Sequence, residues 1–486
     1  MDLTVEVAQG ALRGTTTPCG GRLFAGIPFA APPVDALRFR PPQPPAPWSG
    51  VRDASAFGAP PLQALGGDED CLTLNVWTPP GPGPHPVLVW LYGGGFESGS
   101  ASPPGTDGSV LTESLDAVVV AVNYRVGALG WLHLADLRWA GSTNLGLQDA
   151  LAGLRWTAAN VAAFGGDPAR VTVAGVSAGA FIIGSLLAVP EARSLFGRAV
   201  LHSGSTGRTY PRDLATAIAS DLLDALKIKE IDDLLTVPAG RILEVQQSVI
   251  DTDIGRRNLP GGRAWGVVLD GDVLTDDPSV AVARGDAAAV DLLVGTTAEE
   301  VRLYQVMQAA TFTPADDAAL AREMAGAGLP TALLGGYRAR HPAADLTELR
   351  ARFLTDAIYR VPAARLAEAQ LAAGGRAWSA LQSGSPVGPL LGACHGSDMA
   401  YLFHGPVPVG PFPPLPEEQW PTRDRLRHAW RDFVHDGDPG WPARSDTVFD
   451  YASGDLAPMS PDDEVTSLWR RQGSSSQVGA VPGSGS

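Results

Sequence analysis

The sequence is poor in cysteine, in positive charge and in long apolar runs, and each shortage excludes something. Its 486 residues include three cysteines, Cys19, Cys71 and Cys394. These are too few and too scattered for a disulfide framework or a thiolate zinc site, and at most one bridge can form. Lys and Arg number 36 against 52 Asp and Glu, a net charge of −16 at pH 7. Such a surface repels nucleic acid and anionic membranes and argues against both as partners. No uncharged apolar run reaches the roughly 18 residues of a membrane span. The first residues, Met1-Asp2-Leu3-Thr4-Val5-Glu6, have neither the basic start nor the apolar stretch of a signal peptide. The expectation is a soluble, cytoplasmic globular chain.

What is present suits a large folded enzyme-sized core. Apolar residues make up 45% and charged residues 18%. The 57 glycines and 42 prolines stay below the roughly 25–30% at which composition alone implies disorder, so they belong to turns and loops. Residues 28–48, dense in proline, predict an irregular surface strap. Gly473 to Ser486 reads as a disordered Gly/Ser-rich tail, leaving residues 1–472 as one domain.

Between these ends, continuous apolar runs alternate with helical patterns. Pro86–Leu91 and Ala117–Val122 are apolar throughout; Val171–Ala174, Ala199–Leu201 and Val290–Val294 are nearly so. Strands that do not alternate are buried on both faces, which predicts a mostly parallel sheet flanked by helices. Leu147, Leu151, Leu154, Ala158 and Val161 recur at helical spacing, and a second helix starts just after Val173-Ala174 and ends before Pro190. The fold class is therefore α/β, with a doubly wound sheet. Helix-like, strand-poor stretches near 208–290 and 305–370 read as insertions that wall a pocket.

Gly175-Val176-Ser177-Ala178-Gly179 sits between an apolar strand and an Ala/Ile/Leu-rich helix. A serine on so sharp a turn needs small neighbours; the turn lifts its hydroxyl out of the sheet and sets it at a helix N-terminus. There the Ala178 amide can donate to a developing oxyanion. Gly93-Gly94-Gly95-Phe96 follows an earlier strand and offers a close backbone approach with free amides, the second half of an oxyanion hole. A phosphate cradle would want a lysine and Ser/Thr next, and Phe96-Glu97 supplies neither.

With these motifs the chain resembles the type-B carboxylesterases of the α/β-hydrolase fold, which include cholinesterases and bacterial para-nitrobenzyl esterases. The resemblance also runs through Glu69-Asp70-Cys71-Leu72, Asn123-Tyr124-Arg125, Asn144-Leu145-Gly146-Leu147-Gln148-Asp149, Phe164-Gly165-Gly166-Asp167-Pro168 and Gly437-Asp438-Pro439. It implies a serine esterase acting on small carboxylic esters through an acyl-enzyme, with no metal or cofactor and as a monomer or homodimer; the departures given below narrow the expected substrates to neutral esters. A carbamate, amide or polyester hydrolase with the same triad, or a non-catalytic binding protein of the same fold, are the other readings. Ser177 is the implied nucleophile, with Gly94, Gly95 and Ala178 as oxyanion donors.

The chain order of the fold is serine, acid, histidine. His395, in the small-residue segment Gly392-Ala393-Cys394-His395-Gly396, resembles the family's late histidine; His404 is the rival, and His428, among arginines, reads as a solvated helix residue. The segment Gly295-Thr296-Thr297-Ala298-Glu299-Glu300 resembles the family's acid loop, implying Glu300 as the triad acid and Glu299 as its neighbour. Val301 stands where the family has glycine, which leaves the register open by one residue. Val176 replaces the glutamate that precedes the serine in most relatives, and Asp398 stands where they have another acid. The early disulfide of cholinesterases has no partner for Cys71: proline fills the expected segment, and the loop from Pro61 to Cys71 is short. That loss fits a reducing compartment.

Overall fold

The computed structural model describes residues 3–103, 106–403, 414–458 and Trp469. The main sheet has eleven strands. In chain order they are Thr15–Thr16 (β1), Arg22–Pro28 (β2), Thr73–Thr78 (β3), His85–Leu91 (β4), Val118–Val122 (β5), Gly166–Val176 (β6), Arg198–His202 (β7), Asp291–Thr297 (β8), Ala377–Gln382 (β9), Thr447–Asp450 (β10) and Leu456–Pro458 (β11). Their spatial order is β11-β10-β9-β8-β7-β6-β4-β5-β3-β2-β1. The centre, β10 through β5, is parallel, whereas β11 and the three strands at the other end pair antiparallel. Seven of the eleven strands thus form one parallel block, so the sheet is mostly parallel as expected, with antiparallel pairing at its edges. The central strands are apolar throughout for the reason anticipated: β5 is buried at every residue and β4 from Pro86 onward.

Two helices frame the site. Leu145–Asn160 (α1) buries Leu147, Leu151 and Leu154, and a Cβ on its Gly153 would stand 2.5 Å from Val122, so the helix lies directly on β5. The Arg125 guanidinium forks onto the Asp149 carboxylate of α1 at 2.7 and 2.8 Å with both side chains buried, fixing the exit of β5 to α1. Ala178–Leu186 (α2) begins at the serine and ends before Pro190. The register aligns the carboxyl ends of the central strands: Leu91 lies opposite Gly175, and His202 lies opposite both Val176 and Gly295. In a parallel sheet that edge is where loops converge into a site.

The insertions are helical as expected, with Arg212–Leu226, Ala239–Gln246 and Pro278–Arg284 in the first and Asp317–Gly326, Ala332–Arg340, Leu346–Thr355 and Val361–Ala372 in the second. The first also holds an unforeseen parallel pair, Thr209–Pro211 with Val267–Leu269. Its edge is read by the Asn144 side-chain amide, which accepts from the Val268 amide and donates to the Val268 carbonyl, both at 2.8 Å. In the second, a π-helical turn at Asp356–Arg360 joins two helices and carries Tyr359. A contiguous apolar core extends from Val5 to Trp469. Among the described residues no helix is long and apolar enough to cross a membrane. His404 and the tail from Gly473 lie outside the described residues.

The three cysteines are unpaired. Where a bridge would close the loop ending at Cys71, polar contacts hold it instead. The Gln63 side chain donates to the Gly99 carbonyl and accepts from the Gly99 amide, both at 2.9 Å. Arg38 forks onto Glu69 with two bonds of 2.6 Å and donates to the Val237 carbonyl at 2.6 Å, joining this loop to the first insertion.

Candidate active site

Ser177 occupies a strained turn, with φ 54° and ψ −120°, a conformation an L-residue keeps only when its surroundings impose it. They do so on both sides. A Cβ on Gly179 would come within 2.1 Å of the Leu91 carbonyl oxygen, so α2 can approach β4 this closely only with glycine there. The Ser177 amide donates to the His202 carbonyl at 2.9 Å, and the Phe181 amide returns to the Ser177 carbonyl at 2.9 Å.

The glycine turn comes up against this serine: a Cβ on Gly93 would lie 3.1 Å from the Ser177 Cβ. Gly94 and Gly95 have φ of 131° and 64°. The amides of Glu97 and Ser98 hold the Gly94 carbonyl at 3.0 and 3.1 Å. Among the described residues, the amides of Gly94, Gly95 and Ala178 have no backbone acceptor. The strand end behind the turn is braced by Tyr92 and Tyr124, stacked at 4.2 Å, each hydroxyl donating at 2.6 Å to the other's carbonyl. Burial pushes both phenols well above the usual tyrosine range, so they remain neutral donors.

His395 joins the serine to Glu300. Its Nε2 lies 2.8 Å from Ser177 Oγ and its Nδ1 lies 2.6 Å from Glu300 Oε2. Glu300 is fully buried, and its other oxygen accepts from Ser203 Oγ at 2.6 Å and from the Thr297 amide at 2.8 Å. Three donors thus converge on this carboxylate, one on the oxygen facing His395 and two on the other. Glu299 points elsewhere: it pairs with Arg302 and accepts from the Ala393 amide, and its side chain is 41% exposed. Its backbone bridges to Cys394, so it supports the histidine loop from outside. Val301 is buried without displacing its neighbours, and Glu300 rather than Glu299 reaches the imidazole. His428 is exposed, as expected of a solvated helix residue.

This arrangement is a relay from carboxylate to imidazole to hydroxyl, set at a helix N-terminus beside a turn with free amides. A sequence model described as the carboxylesterase family matches residues 1–453. The chain belongs to the carboxylesterase family. It is 37% identical to the para-nitrobenzyl esterase of Bacillus subtilis over 384 residues, 75% of this chain and 76% of that one. It is 40% identical to the acetylcholinesterase of Gallus gallus over 319 residues, 57% of this chain and 40% of that one. The crystal structure of a Geobacillus stearothermophilus carboxylesterase superposes with a TM-score of 0.86 at 33% identity, covering 96% of this chain and all of the other. The protein is a serine carboxylesterase of the α/β-hydrolase fold, acting on small carboxylic esters.

Several groups around the relay had no individual signal in the sequence. Ser203 follows β7 in the run Ser203-Gly204-Ser205, whose small residues after a strand are its only mark. Tyr359 and Tyr304 pack against the His395 ring, with centroids 4.8 and 5.8 Å away. Asp398, noted as a family position, pairs with His202 at 2.7 Å with both side chains buried. A second acid–imidazole pair thus lies beside the first and ties the His395 segment to the strand end whose carbonyl holds the serine.

Proposed function

We propose that Ser177 is the nucleophile, His395 the general base and acid, and Glu300 the group that orients the imidazole and stabilises its charge. The observation that carries this is the pair of hydrogen bonds at His395, 2.8 Å to Ser177 and 2.6 Å to Glu300. Glu300 fixes the Nδ1–H tautomer, which leaves Nε2 free to take the serine proton as Oγ attacks the ester carbonyl. The amides of Gly94, Gly95 and Ala178 stabilise the oxyanion that forms; one such donor is worth about 10²–10³ in kcat. His395 then protonates the departing alcohol, and water repeats the sequence on the acyl-enzyme. Val176 and the short, disulfide-free loop before Cys71 favour neutral over quaternary-ammonium esters, since both the acid and the aromatic face that would hold such a cation are missing there.

The core that runs from Val5 to Trp469 supports one domain with two helical insertions, and the unpaired thiols fit a reducing, cytoplasmic setting and a monomer or homodimer without covalent links. The test is Ser177→Ala. Its kcat should fall by about 10⁶-fold with an unchanged melting curve, and labelling by a fluorophosphonate should disappear. Labelling that persists in the variant would assign the nucleophile elsewhere.

A further inference from the structure

Arg208 stands in the wall of this site with a charge that nothing above uses. Its guanidinium carbon lies 5.0 Å from the ring centre of Phe96 and 5.3 Å from that of Phe181. Phe96 follows the glycine turn, and Phe181 sits in the first turn of α2, bonded through its amide to Ser177. The cation is thus held between the two elements that supply the oxyanion donors. The Phe181 ring in turn faces Tyr359 at 6.4 Å, and Tyr359 packs on the His395 ring. A guanidinium does not shed its proton in a protein, so the charge beside the relay is permanent.

Its polar partners are few. Among the described residues, only Nε of its five N–H donors is engaged, by the Tyr210 hydroxyl at a long 3.4 Å. Among the described residues no carboxylate pairs with it, whereas nearby Arg257 pairs with Glu97 and Arg302 pairs with Glu299. The residue is half-buried, and among the described residues its terminal nitrogens have no protein acceptor. Two aromatic faces offset part of the cost of holding a cation there. What the fork lacks is a planar acceptor with two oxygens.

Resting on the esterase reading above, we propose that Arg208 is a specificity residue for esters that carry a second, free carboxylate close to the scissile bond. The carboxylate docks on the Arg208 fork while the ester carbonyl sits at Ser177. It can belong to the acyl part, as in the half-ester of a dicarboxylic acid, or to the alcohol part. The order of preference becomes anionic, then neutral, then cationic. The net charge of −16 repels anions at long range, so a preference for them has to come from a local cation.

Nitro and carboxylate groups are both planar with two oxygens and differ in charge, which supplies matched pairs. On the acyl side, para-nitrobenzyl hemiglutarate is compared with para-nitrobenzyl 4-nitrobutyrate. On the alcohol side, para-carboxybenzyl butyrate is compared with para-nitrobenzyl butyrate. In one arm, the wild-type ratio of kcat/KM, anionic over neutral, should exceed about ten and fall as salt is raised. Arg208→Gln should lower that ratio about ten- to one-hundred-fold, with Arg208→Lys restoring part of it, because a point charge replaces a fork. A wild-type ratio at or below one in both arms, or a ratio that Arg208→Gln leaves unmoved, would overturn the proposal. Wild-type enzyme that hydrolyses none of the four esters would instead overturn the esterase reading. Should Arg208→Gln fail to fold, inhibition of the wild type decides: glutaramate, with an amide in place of the ester and one free carboxylate, should bind about tenfold tighter than the neutral 4-nitrobutyramide, and equal inhibition would refute the assignment.

Discussion

Replacing Glu300 by glutamine exchanges one carboxylate oxygen for an NH2 in a site with no room for compensation. The Glu300 side chain is fully buried, so water cannot repair a mismatch. In one orientation the glutamine keeps its oxygen toward the Thr297 amide and Ser203 Oγ and turns its NH2 toward His395 Nδ1. The imidazole must then accept at Nδ1 and carry its proton on Nε2, aimed at Ser177 Oγ, and it can no longer take the serine proton. In the other orientation the NH2 meets the Thr297 N–H, donor against donor, at a cost of about 1–3 kcal/mol. The carboxylate that stabilises the imidazolium is lost either way. The expected fall in kcat is about 10³–10⁴-fold, or roughly 4–5.5 kcal/mol of barrier. Glu299→Gln is the matched control. It can still accept from the Ala393 amide and gives up one exposed ion pair with Arg302, which is worth about 0–1 kcal/mol. Its kcat should change less than about tenfold. Steady-state hydrolysis of para-nitrophenyl butyrate, with melting curves to certify folding, separates the two. If Glu300→Gln kept a tenth of the activity, or Glu299→Gln lost more than Glu300→Gln, the acid would be misassigned.

Three further outcomes follow from the same geometry. His395→Ala should lose about 10⁶-fold in kcat; a variant keeping a tenth of wild-type activity would move the base elsewhere, with His404 tested next. Burial and the nearby Glu300 charge push the Cys394 thiol up to about 12, and burial raises Cys71 as well. Both therefore stay protonated and inert at neutral pH, because thiolate is the reactive form. Ellman's reagent should titrate only exposed Cys19 in the native protein and all three thiols in denaturant, and dithiothreitol should leave Tm unchanged; a drop of several degrees would reveal a bridge. Finally, 3,3-dimethylbutyl butyrate should be hydrolysed about five- to thirtyfold better than butyrylcholine by kcat/KM, the scale of one lost cation–π face and one lost carboxylate, and the reverse ranking would place another cation-binding face in the site.

The elbow around Ser177 was legible because its chemistry is local: a sharp turn between strand and helix demands small residues at fixed spacing. The central strands were legible because burial on both faces leaves them apolar at every position. The acid was not legible from the residues alone. Two adjacent glutamates look alike until one is seen buried under Ser203, 97 positions away, and the other at the surface; the family resemblance supplied the choice. The pair Thr209–Pro211 with Val267–Leu269 was missed because three-residue strands carry no periodicity. Where the mostly parallel sheet turns antiparallel at its edges was not legible, because pairing direction leaves little trace in short strands. Arg208, Tyr359 and the His202–Asp398 pair acquire meaning only through contacts between distant segments.

The relay bridges 218 positions between Ser177 and His395 and 95 between His395 and Glu300. Synthesis produces the serine and its helix long before the histidine exists. With His395 as the proposed base, Ser177 should remain an ordinary alcohol, a weak nucleophile, until the late segment docks on the strand ends. On that assignment a nascent or partly unfolded chain should be hydrolytically silent, and esterase activity should report completion of the tertiary structure rather than formation of any part of it. During refolding, activity should return with the slowest long-range closure, later than helical signal, because contacts of this sequence separation form late. Hydrolysis of a chromogenic neutral ester would then serve as a gauge of the enzyme's own folding.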